Sequence, residues 1–386
     1  MLAALCLAEF LGMTLWFSAT AVAPALVTEF HLQSGQAAWL TMAVQAGFVC
    51  GTLLSALFNL PDVVNARRLV ALGCLAGSIA NGLVTLVDDS TTVIALRFAT
   101  GVALACVYPP GMKIAASWFE RNRGAALGFV VGALTVGSAF PHLLASLAVS
   151  VPWRTLMLTA SIGAVVGGLL VLGVVRDGPY LSATAPFDPR AVGRVFSNRR
   201  VRLATLGYLG HMWELYAMWT WIAAFAAASL PSRNGSRIAF VAIASGAVGC
   251  VGAGLIADRV GKARVAVWAL IVSSACSAIA GFAFEAAPWV LLALAVIWGV
   301  TVVADSALFS ALVAEHSSRD YVGTALTVQL CAGFLLTMVS IRLIPLMASV
   351  VGWQWVFLVL VPGPTLGILA MSRLTRETAS HRKMAS

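Results

Sequence analysis

The sequence predicts an all-α membrane protein in which twelve transmembrane helices form two pseudo-symmetric six-helix bundles. Of its 386 residues, 60% are hydrophobic and only 10% are charged, whereas a soluble domain carries about 25% charged residues. The apolar residues cluster in runs close to the ~20 residues that are needed to cross ~30 Å of hydrocarbon. This composition excludes a soluble enzyme, a nucleic-acid-binding protein and a secreted disulfide-rich scaffold.

Each predicted helix is an apolar run between short polar connections. The twelve runs lie near residues 2–27, 37–58, 69–87, 91–112, 125–148, 153–175, 201–228, 238–256, 265–283, 289–312, 321–346 and 354–372. The longest polar stretch follows the sixth run and is rich in Pro, Gly, Ser and Arg, which is typical of a linker. We therefore predict an N-terminal bundle at 1–175, a cytoplasmic linker at 176–200, a C-terminal bundle at 201–372 and a cytoplasmic tail at 373–386.

The basic residues predict how the helices are oriented. Of the 24 Lys and Arg residues, 19 lie in or beside the even-numbered connections or in the C-terminal tail. Because positive residues stay on the cytoplasmic side, we expect a multi-pass protein of a bacterial inner membrane with both termini in the cytoplasm. The net charge of +9 then reflects topology and contact with anionic lipid headgroups, not binding of nucleic acid.

Sequence signatures of enzymes and of metal sites are missing. All seven cysteines lie within apolar runs, and none has the spacing of a metal-ligand pair. We interpret them as small packing residues, so the sequence predicts no disulfide, no metal and no cofactor. There is no HExxH, GxSxG or nucleotide-binding loop. We therefore predict that the protein is not an enzyme.

Internal repeats support the division into two halves. The segment RNRGAAL at 121–127 matches RDYVGTAL at 319–326, and the pattern Glu-x-x-x-Met-x-x-Trp opens each half. The two copies of that pattern are Glu9, Met13 and Trp16, and Glu214, Met218 and Trp221. When the two copies are aligned, the first apolar run lacks about one helical turn that the seventh run has at its start. We expect either that the natural protein has residues upstream of Met1 or that Met1 lies within the helix.

The segment GLIADRVGKAR at 254–264 resembles the loop motif G-x-x-x-D-R-x-G-R/K-x-R/K of the major facilitator superfamily. A degenerate first copy surrounds Asp62, and Arg97 with Gly101 is similar to the family's span-4 motif R-x-x-x-G. The resemblance implies the family's twelve-helix fold, with runs 1, 4, 7 and 10 around a central cavity. It also implies a conformational latch on the cytoplasmic face; the alternative is that these residues only set topology. The latch residues are Asp62, Arg67, Asp258, Arg259, Gly261 and Arg264.

Two subfamilies fit the sequence poorly. The drug/proton antiporters of the family usually carry G-P-x-x-G-G in the fifth span, where this chain reads GFVVGALTVGSAFPHL. The nitrate carriers have a glycine-rich signature in spans 5 and 11 and an Arg in spans 2 and 8, none of which is present here.

Ionisable residues inside apolar runs are the main candidates for a site, because a charge at the bilayer centre costs at least ~2.5–3.5 kcal/mol. Runs 1, 4, 7 and 10 each contain one acidic residue or arginine away from their ends: Glu9, Arg97, Glu214 and Asp305. Arg97 is predicted either to bind an anion or couple protons, or to pair with a buried acid such as Glu9 or Asp305. Asp305 is predicted to bind a cation or a proton, unless it pairs with Arg97.

His211 and Glu214 are three residues apart and therefore share a helix face. A histidine beside a carboxylate is a plausible proton site; the alternative is a neutral core histidine. We predict that Glu9 and Glu214 form an equivalent pair facing the cavity and that at least one is the coupling proton site. His211 would tune Glu214, and Arg97 would tune Glu9.

The remaining candidates are uncharged or lie near a membrane surface. Gln45 and Gln329 are predicted to bind substrate or to bridge helices, and Trp16 and Trp221 are predicted to line the site. Arg342 is predicted to reach the interface, and the role of His142 is open.

Together these residues predict a secondary active transporter that moves a small organic solute by alternating access. We favour proton-coupled import of an organic anion, because Arg97 is predicted to lie in the cavity and the antiporter motif is missing. The alternative is proton-driven efflux of drugs or cationic metabolites. The predicted partners are the small-molecule substrate, the proton and the lipid bilayer, with the monomer as the functional unit.

Overall fold

The computed structural model describes residues 1–33, 35–119, 123–147, 152–180, 187–230 and 235–385. Within these ranges, ten segments are long and apolar enough to cross a membrane. The last of them, Val322–Glu377, contains two helices, because Gly352 breaks it with φ 75°. A further crossing is the 31-residue helix Arg199–Ser229, which is less apolar because it holds His211, Glu214 and several Tyr and Trp residues. The predicted twelve crossings are therefore present.

The helices are numbered here in chain order. They are α1 (Leu2–Ala21), α2 (Ala23–Glu29), α3 (Trp39–Leu57), α4 (Leu60–Val63), α5 (Ala66–Leu83), α6 (Ser90–Leu104), α7 (Tyr108–Ser117), α8 (Arg123–Leu147), α9 (Trp153–Gly173), α10 (Val192–Ser197), α11 (Arg199–Ser229), α12 (Gly235–Val260), α13 (Lys262–Ile279), α14 (Pro288–Val302), α15 (Ser306–His316), α16 (Val322–Trp355) and α17 (Pro362–Ala385). Crossings 1 to 12 are α1, α3, α5, α6 with α7, α8, α9, α11, α12, α13, α14 with α15, α16, and α17.

Crossings 4 and 10 are each interrupted near the middle. The first break lies at 105–107 and the second at 303–305, so the two breaks are 198 residues apart. In crossing 4 the break is followed by Pro109 and Pro110, which have no backbone N–H to donate. Discontinuous helices leave backbone groups free at mid-membrane, and transporters build binding sites there.

The helices pack first within each half of the chain and then across the halves. α1 contacts α8 and α9, and α11 contacts α16 and α17. Between the halves, α8 packs against α12 more extensively than any other pair of helices, and α3 packs against α16.

The linker contacts both halves. Its first part is held by Trp118 and Ser117, whose side chains bond to Arg176 O and to the Gly178 N–H, each at 2.9 Å. Its second part begins with Asp188, whose N–H donates to Thr324 Oγ1 at 2.9 Å. Linker residues 181–186 lie outside the described residues. α17 extends beyond the apolar run as far as Ala385, so the residues predicted as a tail belong to this helix.

Both chain termini lie at one end of the bundle, which we call the terminal face. Arg199 and Glu377 pair there at 2.9 Å and join the start of α11 to the end of α17. At the opposite face, Glu29 accepts hydrogen bonds from Trp153 Nε1 and Arg154 Nη2, each at 2.5 Å. The hydrogen bond from Trp153, and to a lesser extent that from Arg154, holds the pKa of the Glu29 carboxyl below its ordinary value of 4.5.

Candidate functional site

A small cavity of about 40 Å³ lies between the two halves. It is bounded by crossings 1, 4, 5, 7, 10 and 11, and it sits beside the breaks in crossings 4 and 10. None of its lining side chains is charged. Six of them are aromatic: Trp16, Tyr108, Tyr208, Tyr216, Trp219 and Phe334.

The aromatic residues form a cluster that joins the halves. The ring of Trp16 on α1 lies 5.7 Å from that of Tyr216 on α11 and 5.5 Å from that of Phe334 on α16. The indole N–H groups of Trp16 and Trp219 are buried, and neither has a hydrogen-bond partner among the described residues. Because buried tryptophan N–H groups usually have a partner, these two donors are available to a ligand that carries acceptor oxygens.

Trp221 lies elsewhere. Its Nε1 donates to Ile341 O at 3.0 Å, and its ring is 6.0 Å from that of Trp353. The α11 residues on the cavity wall include Met212, Tyr216 and Trp219, and Trp221 is absent from that wall. The prediction that Trp16 lines the cavity therefore agrees with this geometry, and the same prediction for Trp221 does not.

Arg97 is fully buried and donates all five of its N–H groups within the N-terminal half. The acceptors, at 2.6–3.3 Å, are the carbonyl oxygens of Leu15, Trp16 and Leu40, Ser18 Oγ and Asn81 Oδ1. No donor remains for an anion. Arg97 therefore connects crossings 1, 2, 3 and 4, which differs both from the predicted anion-binding role and from the predicted pair with Glu9 or Asp305.

Glu214 does not face the cavity. Its carboxylate accepts hydrogen bonds from Ser273 at 2.9 Å, Ser277 at 2.5 Å and Trp298 Nε1 at 2.8 Å, all within the C-terminal half. The physical reason is helical phase: Glu214 follows the wall residue Met212 by two positions, or about 200° around α11. The repeat predicted which residues share a face but not which way that face turns.

Glu9 lies against a helix of its own half, about one turn from the cavity wall. It is 1% exposed, and neither carboxylate oxygen has a hydrogen-bond partner among the described residues. The carboxylate lies against Gly111 on α7, where a Cβ on the glycine would be 1.7 Å from Glu9 Oε1. Met13, one turn further along α1, does line the cavity. Glu214 therefore does not fit the predicted cavity-facing pair, whereas Glu9 shares a helix face with Met13 and its place in the pair stays a prediction.

The structure brings His211 and Asp305 together. His211 Nδ1 lies 2.8 Å from Asp305 Oδ1, and each side chain is 1% exposed. Asp305 occupies the break in crossing 10 and immediately precedes the cavity residue Ser306. The contact at 2.8 Å lacks hydrogen-bond geometry, and neither His211 Nε2 nor the Asp305 carboxylate has a hydrogen-bond partner among the described residues. The histidine thus pairs with Asp305 and not, as its spacing suggested, with Glu214.

The two predicted glutamines are buried in different settings. Gln45 Oε1 accepts a hydrogen bond from Thr337 Oγ1 at 2.7 Å, which joins α3 to α16 across the halves. The amide of Gln329 has no partner for either its oxygen or its nitrogen in the described part of the chain. Neither residue belongs to the cavity wall.

Two further predicted residues lie nearer the opposite face. Arg342 Nη1 donates to Gly35 O at 3.1 Å and so links the two halves. His142 is fully buried, and both ring nitrogens lack partners among the described residues.

The loop residues lie at the terminal face. Asp62 pairs with Lys113 of α7, and Arg67 Nη2 donates to Leu172 O at 2.8 Å, both within the N-terminal half. Sequence reasoning missed Lys113 because it placed this residue in a connection, whereas α7 continues to Ser117.

The second loop motif lies between α12 and α13. Asp258 lies beside the start of α8, where a Cβ on Gly124 would be 3.8 Å from its Oδ1. Gly261 has φ 101°, a conformation that favours glycine. Arg259 ends α12, and Arg264 is in the first turn of α13.

Comparison with known sequences places the chain in a family. The sequence profile of the Major Facilitator Superfamily matches residues 5–253 and 231–385. The chain is 25% identical over 240 residues to a probable L-galactonate transporter of Escherichia coli (strain K12), covering 56% of this chain and 51% of that one. It is 24% identical over 220 residues to the MFS-type transporter pytF of Aspergillus terreus (strain NIH 2624 / FGSC A1156), covering 56% and 73%. The match to the first relative thus spans about half of its length.

Solved structures share the fold at low identity. A mutant of the nucleoside transporter NupG superposes with a TM-score of 0.73 at 14% identity, covering 97% of this chain and 99% of that one. A bacterial homologue of the human lysosomal transporter Spinster, inward-facing and unoccupied, also gives 0.73, at 15% identity and 97% coverage of both chains. Because the family profile spans the chain, the chain belongs to the Major Facilitator Superfamily.

Proposed function

We propose that the protein is a proton-coupled secondary transporter that moves a small organic anion across a bacterial inner membrane by alternating access, with both termini cytoplasmic. The observation that carries the proposal is the aromatic cavity between the halves with the buried His211–Asp305 pair beside it. A cavity of about 40 Å³ is much smaller than the cavity of about 150 Å³ that is needed to hold a molecule the size of benzene. The halves must therefore separate to admit a solute.

The substrate class rests on hydrogen-bond donors and on a relative. The unpartnered indole N–H groups of Trp16 and Trp219 suit a carboxylate or hydroxyl oxygen, and the aromatic rings suit the apolar face of a sugar chain. The relationship to a probable L-galactonate transporter supports a hydroxylated acid. In this proposal the indole groups replace Arg97 as the anion ligands, because every N–H of Arg97 already has an acceptor.

The proton site is assigned to the His211–Asp305 pair. A carboxylate and an imidazole in contact can hold or release one proton as their access to water changes. Asp305 lies in a helix break, so movement of α14 against α15 would change that access.

Glu9 is retained as a second proton site. Both of its oxygens are buried without partners in the described residues, whereas Glu214 accepts three hydrogen bonds and is assigned a structural role. The charged loops around Asp62 and Asp258 are proposed to latch the terminal face. Asp258 supports this role because it contacts α8 of the other half.

The test is uptake of radiolabelled L-galactonate into proteoliposomes under an imposed pH gradient. We expect Asp305→Asn to abolish accumulation driven by the gradient while exchange of internal for external L-galactonate continues. Glu315→Gln is the matched control, because Glu315 is a half-exposed acid that pairs with Lys262 at the terminal face. Accumulation by Asp305→Asn at the wild-type level would refute the proton assignment.

A second candidate function is proton-driven efflux of lipophilic cations. The cavity supports efflux of cations because its wall is aromatic and contains no cationic side chain. Aromatic faces attract cations. Thermal stability of the purified protein separates the two candidates. Stabilisation by L-galactonate supports import of an acid, and stabilisation by tetraphenylphosphonium alone supports efflux.

A further inference from the structure

A second, larger cavity opens at the terminal face between crossings 2, 4 and 11. Its volume is about 260 Å³, and we call it the vestibule. Its wall carries two charged side chains, whereas the wall of the central cavity carries none. Its polar side chains are Thr52, Ser55, Asn59, Asp62, Lys113 and Thr327.

Lys113 is the vestibule's cation. Its amine donates to Asp62 and to Pro61 O, the latter at 2.9 Å, and its side chain is 16% exposed. An ammonium group has three N–H donors, so one donor remains beyond these two contacts. This remaining donor can bind a second carboxylate while Asp62 keeps its own contact.

Thr52 provides an independent observation on the other wall. It is 7% exposed, and its hydroxyl has no hydrogen-bond partner among the described residues. A buried hydroxyl normally has a partner. A hydroxylated solute in the vestibule would satisfy it, and Ser55 lies one turn along the same helix.

The vestibule follows the central cavity along the same helices. Lys113 is five residues beyond the cavity residue Tyr108 on α7, which corresponds to about 7.5 Å along a helix axis. On α16, the vestibule residue Leu326 is one turn from the cavity residue Leu330. A solute passing between the central cavity and the terminal face therefore meets the vestibule next.

We propose that the vestibule is a second, transient binding site for a hydroxylated organic anion. Lys113 binds the solute carboxylate with its remaining donor, and the Thr52 hydroxyl bonds to a solute hydroxyl. The site binds solute only in the part of the transport cycle in which the protein is open at the terminal face. This inference rests on the proposed transport of an organic acid and adds a residue that recognises it.

The experiment measures L-galactonate transport in sealed vesicles that hold the full chain in one orientation, established with a C-terminal tag. We expect Lys113→Gln to raise the half-saturating concentration about tenfold when solute is added at the terminal face, as for loss of one charged hydrogen bond. Addition at the opposite face should give the wild-type value. Lys113→Arg should restore the wild-type value on both sides. Lys262→Gln, which breaks a different Lys–Glu pair on the same face, should change neither.

The outcomes separate the inference from the function on which it rests. Equal changes from both faces would show a general structural defect and overturn the inference, as would an unchanged value from the terminal face. In either case wild-type transport of L-galactonate would leave the proposed function standing. If the wild-type protein neither binds nor transports L-galactonate or its 2-hydroxy and aldonic analogues, the proposed substrate class fails, and the vestibule site fails with it.

Discussion

Arg97 shows how a charged side chain is accommodated inside a membrane protein without an acid. Its five N–H groups donate to three backbone carbonyls and two side-chain oxygens. These oxygen dipoles take the place of a counter-ion, and they also tie four crossings together. From the sequence, a buried arginine indicates a site because of its insertion cost. Its acceptors could not be predicted, because most of them are backbone atoms.

We expect Arg97→Lys to destabilise the protein more than it impairs solute binding. Lysine keeps the charge but has three donors in place of five, so two acceptors lose a charged hydrogen bond, each worth about 1.5–3 kcal/mol. Thermal unfolding in detergent, with and without L-galactonate, provides the measurement. A variant with wild-type thermal stability that fails to bind L-galactonate would contradict the structural role and restore Arg97 as an anion ligand.

Glu29 gives a pH dependence at the opposite face. Hydrogen bonds from Trp153 and Arg154 lower its pKa in the folded state, so the folded protein favours the ionised form. The stabilisation is therefore complete above the unfolded pKa and is lost as pH falls through the folded pKa. We expect the difference in Tm between the wild type and Glu29→Gln to shrink as pH falls from about 6 to about 3. The effect is small, because the side chains are more than a third exposed. Curves of Tm against pH that stay parallel for the wild type and Glu29→Gln over this range would contradict the expected pH dependence.

At the level of helices, the sequence predicts where most crossings lie but not how they are turned or interrupted. The apolar runs cover both halves of crossings 4 and 10 without a gap, and only Pro109 and Pro110 hint at the first break. Near Asp305 no local residue signals a break. His211 and Glu214 lie one turn apart on α11, as their (i, i+3) spacing predicts. The packing of α11 nevertheless brings them against different neighbours. Periodicity defines a face only relative to its own helix.

The contact between α1 and α7 yields a compensating pair of mutations. We expect Gly111→Ala to displace the buried Glu9 carboxylate, because the new Cβ would lie 1.7 Å from Glu9 Oε1. Since this atom ends a flexible side chain, thermal stability should fall only slightly and transport should fall more. Glu9→Ala in the same chain removes the clash and should recover stability but not accumulation driven by a pH gradient, if Glu9 carries a proton.

The recovery is measured as a double-mutant cycle of Tm values. Additive losses in the cycle would show that the two side chains do not touch. Full accumulation by the double variant would remove Glu9 from the coupling sites while leaving the packing result intact.

For the whole molecule, composition and repeats were sufficient to predict the fold, and the family profile and solved structures confirm it. The position of the site between the halves followed from the family resemblance. Its chemistry did not, because the six aromatic side chains of the cavity come from four crossings. Without the packing, no single stretch of sequence indicates that these rings meet.

The surroundings of Arg97 also bear on how the chain is made. All five of its acceptors, from Leu15 to Asn81, precede it in the sequence. When a ribosome delivers the fourth crossing to the membrane, the first three have already been synthesised. The guanidinium therefore never has to wait in lipid for a later part of the chain. A nascent chain that ends after the fourth crossing contains every group that the arginine needs, so the most costly side chain of the protein can be accommodated before the second half exists.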